Sequence, residues 1–386
     1  MNRGGAPSAF DLTGARVLLP GRGLCAATLS IAGGSIVAEP VGRRVDLGGF
    51  LLLPGIVDAH GDGFEHHLAP RRGIGFDPAD GLVAAEAELA ANGITTAVMA
   101  QFFSWEGGQR GPDFADRVFA AIRDVAPGLI TELIPQLRFE THLLEEYADL
   151  PARLAAWGVD YVVFNDHLPH DRLAAGRRPP RLTGQALKAG RSPEAHLALL
   201  QALHDNAAEV GPALDRLTAV LGAAGVRMGS HDDRTCATRA AWRARGVRIA
   251  EFPETREAAE AARAGGDAVI LGAPNVVRGG SQRGNVDAGA LIGAGLCDAL
   301  ASDYHYPSPR RAVLQLVRGG MDFEAAWGLV SQGPARLLGL RDRGRLAPGM
   351  RADLVILEAQ SGRVAAVMVA GRFSFLRGEA AARFLG

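Results

Sequence analysis

Six side chains able to hold a metal ion or carry a proton fall within ten residues: Asp58, His60, Asp62, Glu65, His66 and His67. They follow directly on the apolar run LLLPGIV. The same crowding recurs behind other apolar segments, at Arg138-Phe139-Glu140-Thr141-His142, Asn165-Asp166-His167, Ser230-His231-Asp232-Asp233, Glu251-Phe252-Pro253-Glu254 and Ser302-Asp303-Tyr304-His305. Residues two apart on a strand face the same way, so His60 and Asp62 can reach one ion together. A single histidine after a strand is ordinarily a hydrogen-bonded residue. Six apolar segments that all end in His, Asp or Glu point instead to one shared site. A mixed imidazole and carboxylate set suits Zn²⁺, Mn²⁺, Fe²⁺ or Ni²⁺. Five or six ligands exceed one tetrahedral zinc, which favours two divalent ions bridged by a carboxylate. Such a pair acidifies water and clamps a phosphoryl or acyl oxygen. Asp58 is expected to orient His60 from behind. His66 either faces substrate or sits in a solvated loop. Asp232 and Asp233 either cap the following helix or orient His231.

A second stretch with chemical potential is GAPNVVRGGSQRGN, Gly272 to Asn285. Gly279, Gly280 and Ser281 lie between Arg278 and Arg283, with Asn275 just upstream. Free backbone N–H groups and two guanidinium forks together would make a phosphate cradle.

These groups need a scaffold that brings distant segments to one place. Apolar strand-like runs occur at 55–59, 94–100, 132–139, 160–164, 226–230, 247–252, 268–273 and 299–302, with Ala/Leu/Arg-rich helical spacing between most of them. Continuous apolar strands alternating with helices predict a parallel sheet buried on both faces. Eight units predict a (β/α)8 TIM-like barrel, whose chemistry sits at the C-terminal ends of its strands. Residues 171–225 read as an excursion after the fourth strand, helical over 193–223. Both ends of the chain carry short strands with glycine turns, and they predict one small β-sandwich domain (1–53 with 343–386) flanking a barrel domain (54–342).

The composition is that of a chain able to bury a large core, 48% hydrophobic over 386 residues. A net charge of −1 gives no field that favours nucleic acid or an anionic membrane. Cys25, Cys236 and Cys297 are far apart, which suits a reducing compartment and offers no thiolate zinc site. No apolar leader and no run of about 18 apolar residues is found, so a cytoplasmic protein is expected. Lys188 is the one lysine, which leaves little room for a carbamylated bridging lysine.

LLLPGIVDAHGD and GRLAPGMRADLVIL resemble the strand-one entry and the β-sandwich return of the amidohydrolase superfamily. GITTAV, SHDDRT, AEFPETREAAEAAR, LGAPNVVRGGSQRGNV and ASDYHYPS resemble, more narrowly, the PhnM family. That resemblance covers roughly residues 15–375. It implies a metal-dependent hydrolase of phosphonate metabolism that cleaves α-D-ribose 1-methylphosphonate 5-triphosphate to the 5-phosphate and pyrophosphate. Carried over, His60 and Asp62 match the strand-one ligand pair and Glu140 the carboxylate bridging the metals. His167 and His231 match ligands of the second metal, and Asp303 the strand-eight aspartate, ligand and general base. Two departures stand out. His167 and His231 count to strands four and five rather than five and six, so either a strand hides in 171–225 or Glu251 takes the strand-six place. Gly61, Gly63 and His66 replace the Thr, Asn and Lys of the family's run. The implied partners are two divalent ions, zinc first among them, and a small phosphorylated substrate. Nucleic acid and membrane are not expected, and homo-oligomerisation is left open. A deacylase or deaminase of a small substrate and a non-catalytic scaffold are the competing readings.

Overall fold

A computed structural model describes residues 9–71, 75–280 and 286–386. Eight parallel strands pair in chain order: Ile56–Gly61, Ile94–Phe103, Glu132–Glu140, Tyr161–Asn165, Arg227–His231, Ile249–Glu251, Ala268–Gly272 and Ala299–Ala301. They are barrel strands one to eight. Each stands where an apolar run predicted it, and strand two is buried at every position. Burial on both faces is why these strands read as continuous apolar runs. Val57, Ala59, Val98, Tyr161, Val163, Ile249, Ile270 and Ala299 fill the barrel interior. A larger core joins the outer faces of the strands to the surrounding helices.

The barrel closes at its rim. Gly61 and Asp303 form a parallel bridge, the Asp303 amide donates to His60 O (3.1 Å) and the Asp62 amide to Asp303 O (2.9 Å). Asp58 completes the joint by accepting from the Ser302 amide (2.8 Å) and hydroxyl (2.5 Å). Strand one shifts register against strand two between Ile56 and Val57 and between Asp58 and Gly61. Such irregularities re-aim side chains.

The terminal segments make two further sheets. One has six strands, ordered Arg372–Leu376, Val364–Val369, Leu354–Glu358, Phe50–Pro54, Arg16–Leu19 and Gly23–Ala26. The other has four, ordered Ser35–Val37, Leu29–Ala32, Phe10–Thr13 and Arg44–Asp46. Phe10, Leu12, Val17, Ile31, Leu52 and Ile356 belong to the core they share. Two elements here lie outside the sequence expectation. Strand Phe10–Thr13 begins earlier than the first predicted strand, and a last helix, Gly378–Leu385, buries Ala380 and Phe384. Phe384 stacks edge-on to Phe10 and Phe373.

The excursion after strand four is wholly helical: His170–Ala174, Leu182–Lys188, Pro193–Asp205 and Ala207–Ala223. It contains no strand, so His167 follows strand four, His231 ends strand five and Glu251 ends strand six. The excursion docks on the loop after strand two. Gly108, with φ +59, sits so close to the Lys188 carbonyl that a Cβ there would lie 2.5 Å from it. Arg191 donates to Trp105 O (2.8 Å). Among the described residues, no helix is long and apolar enough to cross a membrane.

Candidate metal centre and active site

The ends of strands one, five and six bring His60, His231 and Glu251 together, with one ligand atom from each within 4.8 Å of the others. His60 Nδ1 lies 2.8 Å from Glu251 Oε2, both fully buried, without the alignment of a hydrogen bond. His60 Nε2 and His231 Nδ1 also lack hydrogen-bond partners. Buried imidazoles are costly to leave unsatisfied. Glu251 Oε1, by contrast, accepts from Tyr161 OH (2.6 Å) and Gln136 Nε2 (3.0 Å). One oxygen is held and the other is left facing His60. This is a donor set suited to a divalent transition metal: buried nitrogens and an oxygen, oriented from behind and lacking partners in front.

A second, overlapping group is His167, His231 and Asp232. Asp232 Oδ1 lies 3.1 Å from His231 Nδ1 and Oδ2 lies 3.8 Å from His167 Nε2. Glu140, at the end of strand three, accepts from the His167 amide (3.2 Å) and from the Trp105 indole (3.3 Å), and its Oε1 lies 2.5 Å from His167 Nδ1. Burial works against a charge on His167, but the Glu140 carboxylate and Asp232 outweigh it and raise its pKa to about 10.

Asp62 stands apart from His60. Its Oδ2 accepts from Arg138 NH1 at 2.8 Å, and the other end of that guanidinium lies 3.1 Å from His231 Nε2. Arg138 is buried against Phe102, 3.8 Å from the ring centroid, and Arg110 lies 3.9 Å from the same centroid. Arg110 in turn pairs with Glu65 (3.2 Å). Asp303 borders a cleft of about 450 Å³ lined also by Asp62, Glu65, His66, Arg110 and Tyr304. Burial, followed by the nearby charge of Asp62, lifts the Asp303 pKa to about 7. Asp232, Phe252 and Asp303 all take left-handed backbone conformations, at φ 60, 53 and 55. Such φ values are uncommon outside glycine, least so for aspartate, and cluster at functional sites. The turn at Phe252 sets its ring edge-on to both His60 and His231, with centroids 5.1 Å away.

Several sequence expectations are corrected. Asp58 bonds to Ser302 and ties strand eight to strand one; Glu251 is the carboxylate against His60. Asp232 and Asp233 do not cap the next helix. Thr235 does, accepting from the Thr238 amide, while Asp233 accepts from Ser230 and Arg239. His66 needs no correction: it borders the cleft, with its side chain 57% exposed and 3.3 Å from Glu88. The Gly279 and Gly280 amides are not free: they donate to Val276 O and Asn275 O and close a short helix. Arg278 donates to Asn275 Oδ1 (3.1 Å) and lies 5.8 Å from the centroid of the Tyr304 ring, at the cleft edge. Ser281 and Arg283 fall outside the described residues. Gly61 and Gly63 have a steric reason. A Cβ at Gly61 would lie 2.9 Å from Asp58 and Ser302 and 3.2 Å from the Tyr306 ring, which also presses on Gly63.

Sequence reasoning gave Arg138 no role, although it stands two residues before Glu140. That spacing, which put His60 and Asp62 on one face, was the available signal. Arg110 and Trp105, in the loop after strand two, carried none.

The amidohydrolase family profile matches residues 77–373. An alpha-D-ribose 1-methylphosphonate 5-triphosphate diphosphatase from Escherichia coli (strain K12) is 31% identical over 330 residues, covering 83% of this chain and 87% of the relative. Among solved structures, molinate hydrolase superposes with a TM-score of 0.64 at 15% identity, over 96% of this chain and 95% of that one. A beta-aspartyl dipeptidase from Fervidobacterium islandicum AW-1 superposes with a TM-score of 0.57 at 14% identity, over 95% and 97%. At these identities the structural likenesses speak for the fold alone.

Proposed function

The chain belongs to the amidohydrolase family and, within it, to the PhnM family, and on that premise we propose that it hydrolyses a phosphoanhydride of a ribosyl triphosphate, with α-D-ribose 1-methylphosphonate 5-triphosphate the substrate and pyrophosphate one product. The observation that carries the reading is the set of buried imidazole and carboxylate atoms left without partners at one end of the barrel, next to a cleft that Arg110 lines. His60, His231 and Glu251 would hold one divalent ion, and His167, Asp232 and Glu140 a second. When bound there, divalent ions supply Lewis acidity toward phosphoryl oxygens and make water easier to deprotonate.

The chain's own groups supply the rest. Asp303, with a pKa near neutrality, is suited to take the proton of the attacking water. Its backbone is clamped to strand one on both sides, which fixes the carboxyl beside Asp62. Arg138 and Arg110, stacked on Phe102, present fixed positive charge where phosphoryl oxygens gain negative charge. Arg278 at the cleft edge is placed to meet the distal phosphates. Tyr161 and Gln136 hold Glu251.

The test is a hydrolysis screen of the metal-loaded protein against ribosyl and nucleoside triphosphates and a panel of N-acyl and cyclic amides, with pyrophosphate detection. Pyrophosphate release from the ribosyl triphosphate is expected. Turnover confined to the amides would overturn the reading.

A further inference from the structure

Beside the principal centre lies a second histidine cluster that the chemistry above does not use. His142, just past strand three, Asp166, just past strand four, and His170, opening the first helix of the excursion, each bring a ligand atom within 4.8 Å of the others. None of the three belongs to the His60–His231–Glu251 or His167–His231–Asp232 groups. We propose that His142, Asp166 and His170 bind one divalent transition-metal ion of their own, and that this ion pins the helical excursion to the barrel rim.

The separations fit a coordination shell better than a hydrogen-bonded cluster. His142 Nε2 lies 3.4 Å from Asp166 Oδ1, and His170 Nε2 lies 3.2 and 3.1 Å from the two Asp166 oxygens. Hydrogen bonds between charged partners settle nearer about 2.7–2.9 Å. In a tetrahedral zinc site with bonds of about 2.0–2.1 Å, neighbouring donors stand roughly 3.3–3.4 Å apart. The His142–Asp166 separation of 3.4 Å matches that spacing, and the His170–Asp166 separations of 3.1 and 3.2 Å lie close to it.

His142 is the second observation. The residue is 4% exposed, its Nδ1 has no partner, and its Nε2 has only the long contact to Asp166. Nε2 is the nitrogen that faces Asp166, and an ion among the three residues would give this desolvated ring a strong partner there.

The third observation concerns orientation. His170 Nδ1 lies 2.8 Å from His204 Nδ1, on the third helix of the excursion. If His204 accepts, the His170 proton sits on Nδ1 and its Nε2 lone pair is free to face Asp166 and an ion. Ligating histidines are ordinarily held in this way by a partner on the far nitrogen. Two imidazoles with one carboxylate favour zinc, cobalt, nickel or iron over magnesium or calcium. Asp166 and His170 are partly exposed, so the site is open to solvent on one side and can take up its ion from solution.

The consequence is mechanical. The ion would join the loops after strands three and four to the first excursion helix and, through His204, to the third. Asp166 immediately precedes His167, so the clip would also steady one residue of the principal centre.

The experiment uses the full chain, stripped with a chelator and titrated with Zn²⁺ and with Co²⁺, with metal counted by mass spectrometry. His170→Phe keeps a ring but removes both nitrogens. It should bind one ion fewer per chain than the parent. Adding His170→Phe to His231→Ala should lower the metal count by one further ion, and the Co²⁺ absorption should fall by that ion's share. His204→Ala, which touches no proposed donor except through His170, should weaken zinc binding at this site by about 10–100-fold while leaving the circular dichroism spectrum unchanged. That variant keeps the proposal testable if His170→Phe fails to fold. An unchanged zinc count in folded His170→Phe, or unchanged zinc affinity in His204→Ala, would overturn it.

Discussion

At the scale of single residues, the site is organised by carboxylates that hold histidines and by one arginine that holds a carboxylate. Asp303 is the group expected to move a proton. Asp303→Asn should keep most of the bound metal but lose about 10²–10⁴-fold in kcat; turnover within a few-fold of the parent would remove it from the chemistry. The titrations give a second expectation. In the metal-free chain Asp303 protonates at about pH 7 and His167 keeps its proton to about pH 10. His167 must lose a proton to accept a metal, so binding releases protons and zinc affinity should climb as pH rises from 6 to 8. Competition titrations at those two pH values measure it, and equal affinities would contradict the donor assignment. His60, Glu140, His167 and His231 could be read from the sequence because each follows an apolar strand. The partners they meet could not. The contact of His60 with Glu251 joins strands one and six, 191 positions apart in the chain, and nothing local signals it. Asp62 likewise turns to Arg138 on strand three.

At the scale of elements, the turns behind strands five, six and eight matter as much as the strands. Each contains a non-glycine residue in the left-handed region, and such strain persists only where surrounding contacts over-determine it. Behind strand five those contacts are visible. Arg239, fully buried, donates to Asp233 (2.8 Å), Ser230 (2.5 Å), Asp267 (3.2 Å) and Val247 O (2.5 Å). Ser230 and Asp233 bracket His231 and Asp232. Arg239→Met should leave buried carboxylates uncompensated and destabilise the chain by about 3–5 kcal/mol, which a denaturant titration reads directly. A loss below about 1 kcal/mol would mean that Arg243 and Arg248, which also reach Asp267, suffice. Steric fit governs strand one in the same way. Gly61→Ala should cost about 1–3 kcal/mol, because the new methyl meets Asp58 and Ser302. The barrel strands were legible because buried parallel strands are continuous apolar runs. The excursion's helical stretch over 193–223 was legible from its spacing, but its break at Asn206 into two helices was not. Strand Phe10–Thr13 was too short to rise above the glycine-rich background, and helix Gly378–Leu385 offers only Ala380 and Phe384 as its buried face.

At the scale of the whole molecule, two joints hold the architecture together. One lies at the base of the barrel. Arg343 reaches Thr96 (2.8 Å) and Glu132 (2.6 Å), and Arg351 reaches the same Glu132 oxygen (2.5 Å), so the chain's return toward the terminal sheets is fastened to strands two and three. The other is the closure between strands one and eight, where Asp58 meets Ser302. Burial lifts the Asp58 pKa to about 6 from an ordinary 3.8. A carboxyl raised in the folded state contributes stability that is full below pH 3.8 and lost as pH rises through 6. The difference is on the order of 3 kcal/mol. Asp58→Asn can still pair with the Ser302 amide and hydroxyl, so melting curves from pH 4 to 7 should show a parent that weakens relative to the variant. Parallel curves would mean that Asp58 ionises freely in the fold. The β-sandwich built from both chain ends was readable because its strands at either end share one pattern. The lone lysine now acquires a practical meaning. Lys188 is exposed at the end of an excursion helix, and its carbonyl packs on Gly108 in the loop that also carries Trp105. An amine-reactive dye therefore has one side-chain target, located at the seam between excursion and barrel. Its emission would report, in solution and without mutagenesis, whether that seam opens as substrate arrives.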